Sequence, residues 1–336
     1  MNARQLGTSD VYVSPVIFGA WAIGGWMWGG TDVEESIKAI QASIDHGVTT
    51  IDSAAIYGMG FSEELVAKAI AGQRSKVVLA TKCGMRWDSP ASGDQGSDPW
   101  QNKDNNGKDV TVRKNSKPDS IAYECEQSLK RLQTDVIDIY QIHWPDSTTA
   151  VEDSMAAMVK LKDAGKIRAI GVSNYDVDLM KRAKAVAPLA SLQPPYSLIQ
   201  RKIEPEILPF CRKEEIGLIV YSPMERGLLT GKVGPDRVFP EGDHRAKHKY
   251  FTPENRQRVQ AALAKIQPIA EAHKASLAQV VINWTINEPG ITAALVGARN
   301  AEQAKHNAGA MDFELTAAEQ LDVRKAFDDV SKVLNA

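Results

Sequence analysis

Four polar residues stand where buried apolar runs of this sequence end. Asp52 and Tyr57 close "VTTIDSAAIYG", Lys82 closes "KVVLATKC" and His143 closes "DVIDIYQIHW". Taken singly, each has an ordinary explanation, such as a helix cap for an Asp or a solvated side chain for a Lys. As a set, a carboxylate, a phenol, an amine and an imidazole are the groups that proton transfer to a carbonyl oxygen requires.

The acidity of these groups suggests a role for each. Free tyrosine has a pKa near ~10, and a buried ammonium at Lys82 is expected to lower that value for Tyr57. Asp52 would keep Lys82 charged and oriented. Tyr57 is then the predicted general acid, or the base in the oxidative direction, and neutral His143 the donor that orients the same oxygen. The set contains no nucleophile, so a cofactor must supply one.

Eight short β-rich runs alternate with longer segments of helical period along the chain. Strands that are apolar on both faces and alternate with helices predict a parallel sheet covered by helices, here closed as a (β/α)₈ TIM barrel in one domain over residues 1–336. A doubly wound sheet would need G-x-G-x-x-G after its first strand, and "FGAWAIGGWMWGG" does not match. Because the carboxyl ends of barrel strands share one rim, the four polar residues are expected to converge there.

Further local features follow from turn and cap signals. "RQLG" and "VYVSP" predict an N-terminal β-hairpin that caps one end of the barrel, and an extra helix is expected at the C-terminus. Asp32 and Gly47 should begin and end the first helix, and Ser62 should cap the second. Long loops are predicted after strands three and seven, at residues 85–117 and 231–251.

Composition excludes several classes of function. The chain has 336 residues, with 40 Lys plus Arg against 42 Asp plus Glu, so no global field favours nucleic acid. No apolar run approaches the ~20 residues of a membrane span, and the first residues do not match a secretory signal. Three dispersed cysteines (Cys83, Cys125, Cys211) indicate neither a disulfide framework nor a metal site. The expected compartment is the cytoplasm.

Six longer segments are informative as a combination: "TTIDSAAIYGMGFSEELVAKAI", "VVLATKCG", "IDIYQIHWPD", "GKIRAIGVSNY", "YSPMERGLLTGK" and "VGARNAEQAKHN". They resemble the aldo-keto reductases. "FGAWAIGGWMWGG" and "QIHWPD" are most similar to the bacterial AKR11-like branch of that family, whose members include reductases of short polyol aldehydes. The resemblance covers essentially the whole chain. It places the family's catalytic tetrad on Asp52, Tyr57, Lys82 and His143. It also implies that the missing nucleophile is hydride from NADPH and that the partner is a small carbonyl or alcohol. Oligomeric state stays open.

The same resemblance implies a set of cofactor-binding residues. Ser173, Asn174 and Gln193 correspond to ligands of the nicotinamide carboxamide, and Tyr221 to the residue that stacks on its ring. Arg299 suits a phosphate and favours NADP over NAD. The family often has a Lys-Ser pair and an Arg in this region, where the chain has Gly297, Ala298 and Gln303, so NADH stays possible. The full set is Ala20, Trp21, Ser173, Asn174, Gln193, Tyr221, Ser222, Pro223, Met224, Arg226, Gly227, Leu228, Gly297, Arg299, Gln303 and Asn307.

Bulky aromatic residues near the rim suggest the walls of a substrate pocket. The predicted substrate-binding residues are Trp21, Tyr57, Trp87, His143 and Trp144; for Trp26 and Trp28, packing beneath a loop is an equally good interpretation. The loop at 85–117 is expected to cover the substrate mouth. The loop at 231–251 is expected to close over the cofactor pyrophosphate with four basic residues, Arg237, His244, Arg245 and Lys247.

Three functions compete on the sequence alone. The first is an NADPH-dependent carbonyl reductase or alcohol dehydrogenase. The second, a barrel glycosidase, would need two carboxylates at strand ends, whereas strand four ends in His143 and strand seven in Tyr221 and Ser222. The third is a regulatory subunit that binds the cofactor as a redox sensor with little turnover, as the potassium-channel β subunits that resemble this family do.

Overall fold

A closed barrel of parallel strands forms the centre of the computed structural model, which describes residues 1–25, 28, 30–88, 96–239 and 243–335. Within these ranges eight strands pair in chain order, and the last closes on the first through Ala294 and Val16. The (β/α)₈ prediction is therefore confirmed. The strands are β1 (Val16–Gly19), β2 (Thr50–Asp52), β3 (Val78–Cys83), β4 (Ile137–Ile142), β5 (Ile167–Ser173), β6 (Leu189–Gln193), β7 (Gly217–Val220) and β8 (Ile291–Val296).

Helices follow the strands and cover the outside of the barrel. None of the helices in the described ranges is long and apolar enough to cross a membrane. They are α1 (Val33–Asp45), α2 (Phe61–Ala69), α3 (Pro118–Leu132), α4 (Val151–Asp163), α5 (Val177–Val186), α6 (Ile207–Lys213), α7 (Pro253–Ala272), α8 (Leu277–Asn287), α9 (Ala301–Ala308), α10 (Ala317–Ala326) and α11 (Asp328–Asn335).

The helix ends show which cap signals were sufficient. The side chain of Asp32 accepts the N–H of Glu35, and Gly47 follows α1 with φ of 82°, as predicted. The predicted cap at Ser62 is wrong, because α2 begins after Gly60. Ser62 instead lies buried in the first turn and donates its hydroxyl to the carbonyl of Ala20 at 2.9 Å, which ties α2 to the end of β1.

The N-terminal hairpin closes the amino end of the barrel, as predicted. Arg4–Gln5 pairs with Tyr12–Val13, and Leu6, Val11 and Val13 are fully buried against the inward-facing side chains of the strands. Gly7 has φ of 58°, and a Cβ there would lie 2.6 Å from the carbonyl oxygen of Ala190. The hairpin and the barrel are thus in direct contact at their backbones, and the amino end is filled with apolar side chains.

The segment that follows β3 is more ordered than the predicted loop. Three short stretches, Met85–Arg86, Ser97–Lys103 and Asp109–Lys114, form an antiparallel sheet with the last stretch in the centre. Val112 of this sheet is fully buried against Ala54, Ile56 and Met85. The strands carry few apolar residues, so the sequence lacked the alternation that predicts β structure.

Other boundaries differ locally from the predictions. The sequence "VIFGAW" predicts a first strand over residues 16–21, but the strand ends at Gly19, and Trp21 precedes a short 3₁₀ turn (Ala22–Gly24). The long connection after β7 is confirmed, and the described part of the predicted loop at 231–251 contains two short 3₁₀ helices, His244–Lys247 and Lys249–Phe251. The predicted C-terminal helix is two helices, α10 and α11, which separate at Phe327.

Candidate active site

A buried ion pair joins the ends of β2 and β3. The ammonium nitrogen of Lys82 lies 2.5 Å from Oδ1 of Asp52, and both side chains are about 1% exposed or less. Lys82 also donates to the carbonyl oxygen of Ser53 at 2.9 Å. The other carboxylate oxygen of Asp52 accepts from the amide groups of Gln193 (2.9 Å) and Gln141 (3.4 Å). Burial lowers the pKa of Lys82, and the negative charge of Asp52 opposes that effect. The two opposite charges therefore stabilise each other in the buried site.

Tyr57 extends this unit towards the opening of the barrel. Its hydroxyl accepts from the ammonium of Lys82 at 3.5 Å. Burial, and next the negative charge of Asp52, raise the pKa of Tyr57 well above 10. The expectation that the ammonium would lower this pKa is therefore wrong for the structure, because burial dominates and the charge of Asp52 acts in the same direction. Tyr57 is a protonated phenol at neutral pH.

His143 completes the group from the next strand. It directly follows β4, where its main-chain N–H donates to the carbonyl of Cys83 at 2.9 Å. Its ring lies 5.8 Å from that of Tyr57 in an edge-to-face arrangement. Burial, and next the charge of Lys82, lower the pKa of His143 well below 6.5, so the imidazole is neutral as expected. The structure thus brings all four predicted residues together.

A cleft of about 1110 Å³ extends from this group to α9. Most residues predicted for cofactor and substrate contact line it. They are Trp21, Asp52, Tyr57, His143, Trp144, Ser173, Asn174, Gln193, Tyr221, Ser222, Pro223, Met224, Arg226, Gly227, Gly297, Arg299, Gln303 and Asn307.

Four predicted residues are not among those lining the cleft. Ala20 and Leu228 are fully buried, and Lys82 lies behind Asp52 and Tyr57. Trp87 packs in the cluster beneath the antiparallel sheet, with the guanidinium of Arg131 5.8 Å from its ring. Ala20, Leu228 and Trp87 lie outside the lining, and their contacts with cofactor or substrate stay predictions. Lys82 contacts two residues of the lining, Asp52 and Tyr57.

The middle of the cleft is a network of amides and hydroxyls. Asn174, with φ of 61°, donates to the carbonyl of His143 and to the hydroxyl of Ser173, both at 3.0 Å. The hydroxyl of Tyr221 donates to Oδ1 of Asn174 at 2.9 Å. The amide of Gln193 is engaged by Asp52, so Gln193 links this network to the ion pair. These groups match the donors and acceptors of a carboxamide.

The connection after β7 lines the next part of the cleft. Ser222, Arg226 and Gly227 have positive φ, so the backbone turns sharply at these positions. Arg245 donates to the carbonyl of Arg226 at 3.3 Å and lies 5.4 Å from the ring of Trp28, which comes from the connection after β1. The two connections therefore meet across the cleft.

Of the four basic residues predicted to close over the cofactor, Arg245 lines the cleft. Arg237 and Lys247 are not among the lining residues, and the main-chain carbonyl of Arg237 accepts from Arg256 at 2.7 Å. The side chain of His244 lies outside the described part of the structure, as does Trp26. The predicted closure is therefore supported at one residue, Arg245.

The far end of the cleft is exposed and cationic. Arg299 lies on the turn before α9, where Oε1 of Gln303 accepts its main-chain N–H at 3.0 Å. Asn307 donates to the carbonyl of Gly297 at 3.1 Å. Gln303 and Asn307 are four residues apart on one face of α9, and both hold the turn that carries Arg299.

Sequence reasoning missed several residues of the cleft. Lys232 and Lys305 also line it, so this end has more cations than the sequence analysis counted. Lys305 could have been found from its position on the helix that carries Gln303, whereas Lys232 gave no signal. Ile56 and Met85 form an apolar wall; Ile56 adjoins Tyr57 in sequence, and Met85 lies just after β3.

Proton-transfer groups at the carboxyl end of a (β/α)₈ barrel, beside a long cleft that ends in cations, define a barrel oxidoreductase. The profile of the Aldo/keto reductase family matches residues 15–327. This chain belongs to the aldo/keto reductase family of NAD(P)H-dependent oxidoreductases.

Individual relatives span nearly the whole chain. Aldo-keto reductase YhdN of Bacillus subtilis is 37% identical over 98% of this chain and 94% of its own length. The NADH-specific methylglyoxal reductase of Escherichia coli is 35% identical over 95% of this chain and 96% of its own.

Solved structures agree with the fold. The glycerol dehydrogenase AKR11B4 from Gluconobacter oxydans superposes with a TM-score of 0.85 at 36% identity, covering 98% of this chain and 94% of that one. An aldo/keto reductase from Klebsiella pneumoniae in complex with NADP and acetate has a TM-score of 0.71 at 27% identity, over 97% and 96% of the two chains. The sequence-based assignment to the family, and to its AKR11-like branch, is confirmed.

Proposed function

We propose that this protein reversibly reduces small aldehydes and ketones to alcohols with NADPH, and that Tyr57 is the general acid and base. The observation that carries the proposal is the buried Asp52–Lys82 pair behind the phenol of Tyr57, which faces the cleft beside neutral His143. Direct hydride transfer is the redox step that such a set of groups serves.

The protein's own residues manage the proton. Tyr57 is protonated at neutral pH and donates to the alkoxide that develops on the substrate. The ammonium of Lys82, 3.5 Å from the phenol oxygen, stabilises the phenolate that remains. Asp52 keeps Lys82 charged, and the neutral imidazole of His143 donates a hydrogen bond that orients the carbonyl oxygen. In the oxidative direction the phenolate of Tyr57 takes the proton back.

The cleft fits a dinucleotide in size and in chemistry. Its volume of about 1110 Å³ is at the upper limit of ligand pockets, which run to roughly 1,000 Å³. The network around Ser173, Asn174 and Gln193 suits the carboxamide, and Tyr221 lines the wall beside it. Arg226 and Arg245 suit the pyrophosphate. NADPH, when bound, supplies the hydride.

The choice of NADPH over NADH rests on the cations at the far end. Arg299, Lys232 and Lys305 line the cleft there and would neutralise a 2′-phosphate. The NADP complex of the Klebsiella pneumoniae structure supports this choice, whereas the Escherichia coli relative is NADH-specific. Steady-state kinetics with both nucleotides therefore test this choice.

The expected substrate is small. Trp21, Ile56, Met85 and Trp144 surround the space beside Tyr57 with apolar surface, which excludes water from the reacting carbonyl. The named relatives act on methylglyoxal and glycerol. Short oxygenated aldehydes and their polyols are therefore the first substrates to test. The compartment in which the protein works stays a prediction.

Replacing Tyr57 by Phe is the test of this function. The variant lacks the acid, so turnover of an aldehyde should fall about 10²- to 10⁴-fold while the Kd for NADPH changes less than about twofold. Tyr140→Phe is the control, because it removes the same hydroxyl from a tyrosine that is fully buried on β4 and does not line the cleft. Turnover and nucleotide binding are measured on both variants and the wild type.

Two results would contradict the proposal. Wild-type turnover in Tyr57→Phe would remove Tyr57 from the role of acid. Tight NADPH binding by the wild type, without turnover on any member of a panel of aldehydes, ketones, polyols and secondary alcohols, would favour the redox-sensing subunit instead.

A further inference from the structure

The tip of the antiparallel sheet is a rigid turn. Between strands Ser97–Lys103 and Asp109–Lys114, the carboxylate of Asp104 accepts the main-chain N–H groups of Asn106 and Lys108, both at 2.9 Å. Its carbonyl accepts the N–H of Gly107 at 3.0 Å. These hydrogen bonds of Asp104 fix the backbone of the turn. The side chain of Asn105, which lies between Asp104 and Asn106, therefore projects from a defined position.

Asn105 reaches a point where two other segments meet. Its side-chain amide donates to the carbonyl oxygen of Gly24, in the 3₁₀ turn after β1, at 3.1 Å. A Cβ on Gly58, the residue after Tyr57, would lie 2.8 Å from the amide nitrogen of Asn105 and closer still to the carbonyl oxygen of Gly24. We refer to this contact as the Gly24–Gly58–Asn105 junction.

The junction bears directly on the backbone of Tyr57. A Cβ on Gly24 would lie 3.1 Å from the carbonyl carbon of Tyr57 and 3.3 Å from its Cβ. Gly24 is therefore packed closely against the main chain of Tyr57, and a Cβ there would require Tyr57 to give way by a few tenths of an ångström. A bond that holds the carbonyl of Gly24 in place also limits how far Tyr57 can move away from Lys82.

The packing below the sheet supplies a second point of attachment. Val112 is fully buried against Ala54 and Ile56, the residues that lead from β2 to Tyr57. The sheet is thus attached to the Tyr57 connection by an apolar contact beneath it and by Asn105 at its tip. Two separated contacts define an orientation, which one contact alone would leave free.

We propose that Asn105 is a positioning residue for Tyr57, acting through Gly24. Asn105 is not among the residues that line the cleft, so its effect is indirect. The distance from the phenol oxygen to the ammonium of Lys82 is 3.5 Å, at the outer limit of a hydrogen bond, so a small outward shift of Tyr57 removes the contact. A misplacement of about 1 Å costs up to about 10²-fold in rate. This inference rests on the proposed function for its kinetic consequence and on the backbone contacts for its structural one.

Two substitutions at Asn105 and one control test the proposal. Asn105→Ala removes the amide, and Asn105→Asp keeps its size but cannot donate to Gly24. Both should lower kcat about tenfold, since loss of the contact frees Tyr57 to shift by less than the full ångström. The KM for aldehyde and the Kd for NADPH should change less than twofold. Asn106→Ala, at the neighbouring exposed position, should match the wild type.

Amide hydrogen exchange provides a readout that does not need turnover. In Asn105→Ala and Asn105→Asp, exchange over residues 55–61 should accelerate, whereas Asn106→Ala should leave it unchanged. This measurement stands even if the wild type proves inactive, so failure of the proposed function and failure of this proposal are distinguishable.

Three outcomes would overturn the positioning role. One is exchange and kcat in Asn105→Ala that equal those of Asn106→Ala. Another is wild-type kcat in Asn105→Asp, because then the hydrogen bond to Gly24 is not what positions Tyr57. A third is a loss that appears in the Kd for NADPH instead of in kcat.

Discussion

The two ends of the cleft hold their charges in opposite ways. At the Tyr57 end, Asp52 and Lys82 come from adjacent strands and are about 1% exposed or less, so each depends on the other for its charge. At the far end, Arg299 is exposed on a turn before α9 and water solvates it. When a buried charge loses its counter-ion, water cannot take the counter-ion's place, whereas water can solvate an exposed charge. The first end should therefore respond to substitution in both stability and activity, and the second in affinity alone.

The largest effect should come from Lys82→Met. Loss of the ammonium leaves the carboxylate of Asp52 buried without its counter-ion, which costs about 3–5 kcal/mol of unfolding free energy. Turnover should fall about 10²- to 10⁴-fold, because the phenolate of Tyr57 loses its stabilising charge. Urea denaturation and steady-state kinetics measure the two losses.

The double variant Asp52→Asn/Lys82→Met separates the loss of stability from the loss of turnover. It removes both charges while keeping an amide beside Gln193, so most of the stability should return while turnover stays low. A double variant no more stable than Lys82→Met would show that the buried charge is not the source of the instability.

At the far end the expected effect is smaller and confined to binding. Arg299→Ala should weaken NADPH about tenfold more than NADH, because a charge-assisted contact to the 2′-phosphate is lost and solvent screens the remainder. The free energy of unfolding should change by less than about 0.5 kcal/mol. Arg258→Ala, an exposed cation of α7 outside the cleft lining, is the control. Equal weakening of both nucleotides by Arg299→Ala would argue against a 2′-phosphate contact.

A pH dependence of stability is also expected at the buried end. Burial holds the pKa of His143 well below 6.5 in the folded state. As the pH falls below about 6.5, the unfolded chain takes up a proton that the folded chain does not, and the folded state loses up to about 1.4 kcal/mol per pH unit. His143→Gln should lose less stability between about pH 6.5 and 5.

Denaturation midpoints across this pH range measure the difference, with His46→Gln as the exposed control. An unchanged pH slope in His143→Gln would mean that the imidazole is not held neutral by burial.

The barrel and its four rim residues could be predicted because both depend on local sequence. Alternating apolar runs specify strands, and a strand's end specifies which rim a residue reaches. The pKa of Tyr57 could not, since it depends on how deeply the folded chain buries the phenol and next on how close it places the charge of Asp52. The Asn105 contact could not either, because it joins Gly24 to a residue 81 positions away. The antiparallel sheet was missed because its strands carry little apolar alternation.

The hairpin makes the two ends of the barrel different, because it closes the amino end and leaves the cleft at the other. Its buried residues Leu6, Val11 and Val13 fill the end of the barrel opposite the cleft, and Met1 beside it is 40% exposed. A linker attached at Met1 would therefore anchor the protein to a bead or an electrode with the cleft facing the solution. Every immobilised copy would present its mouth in the same direction, and the anchoring chemistry would stay a full barrel's height from the reacting groups.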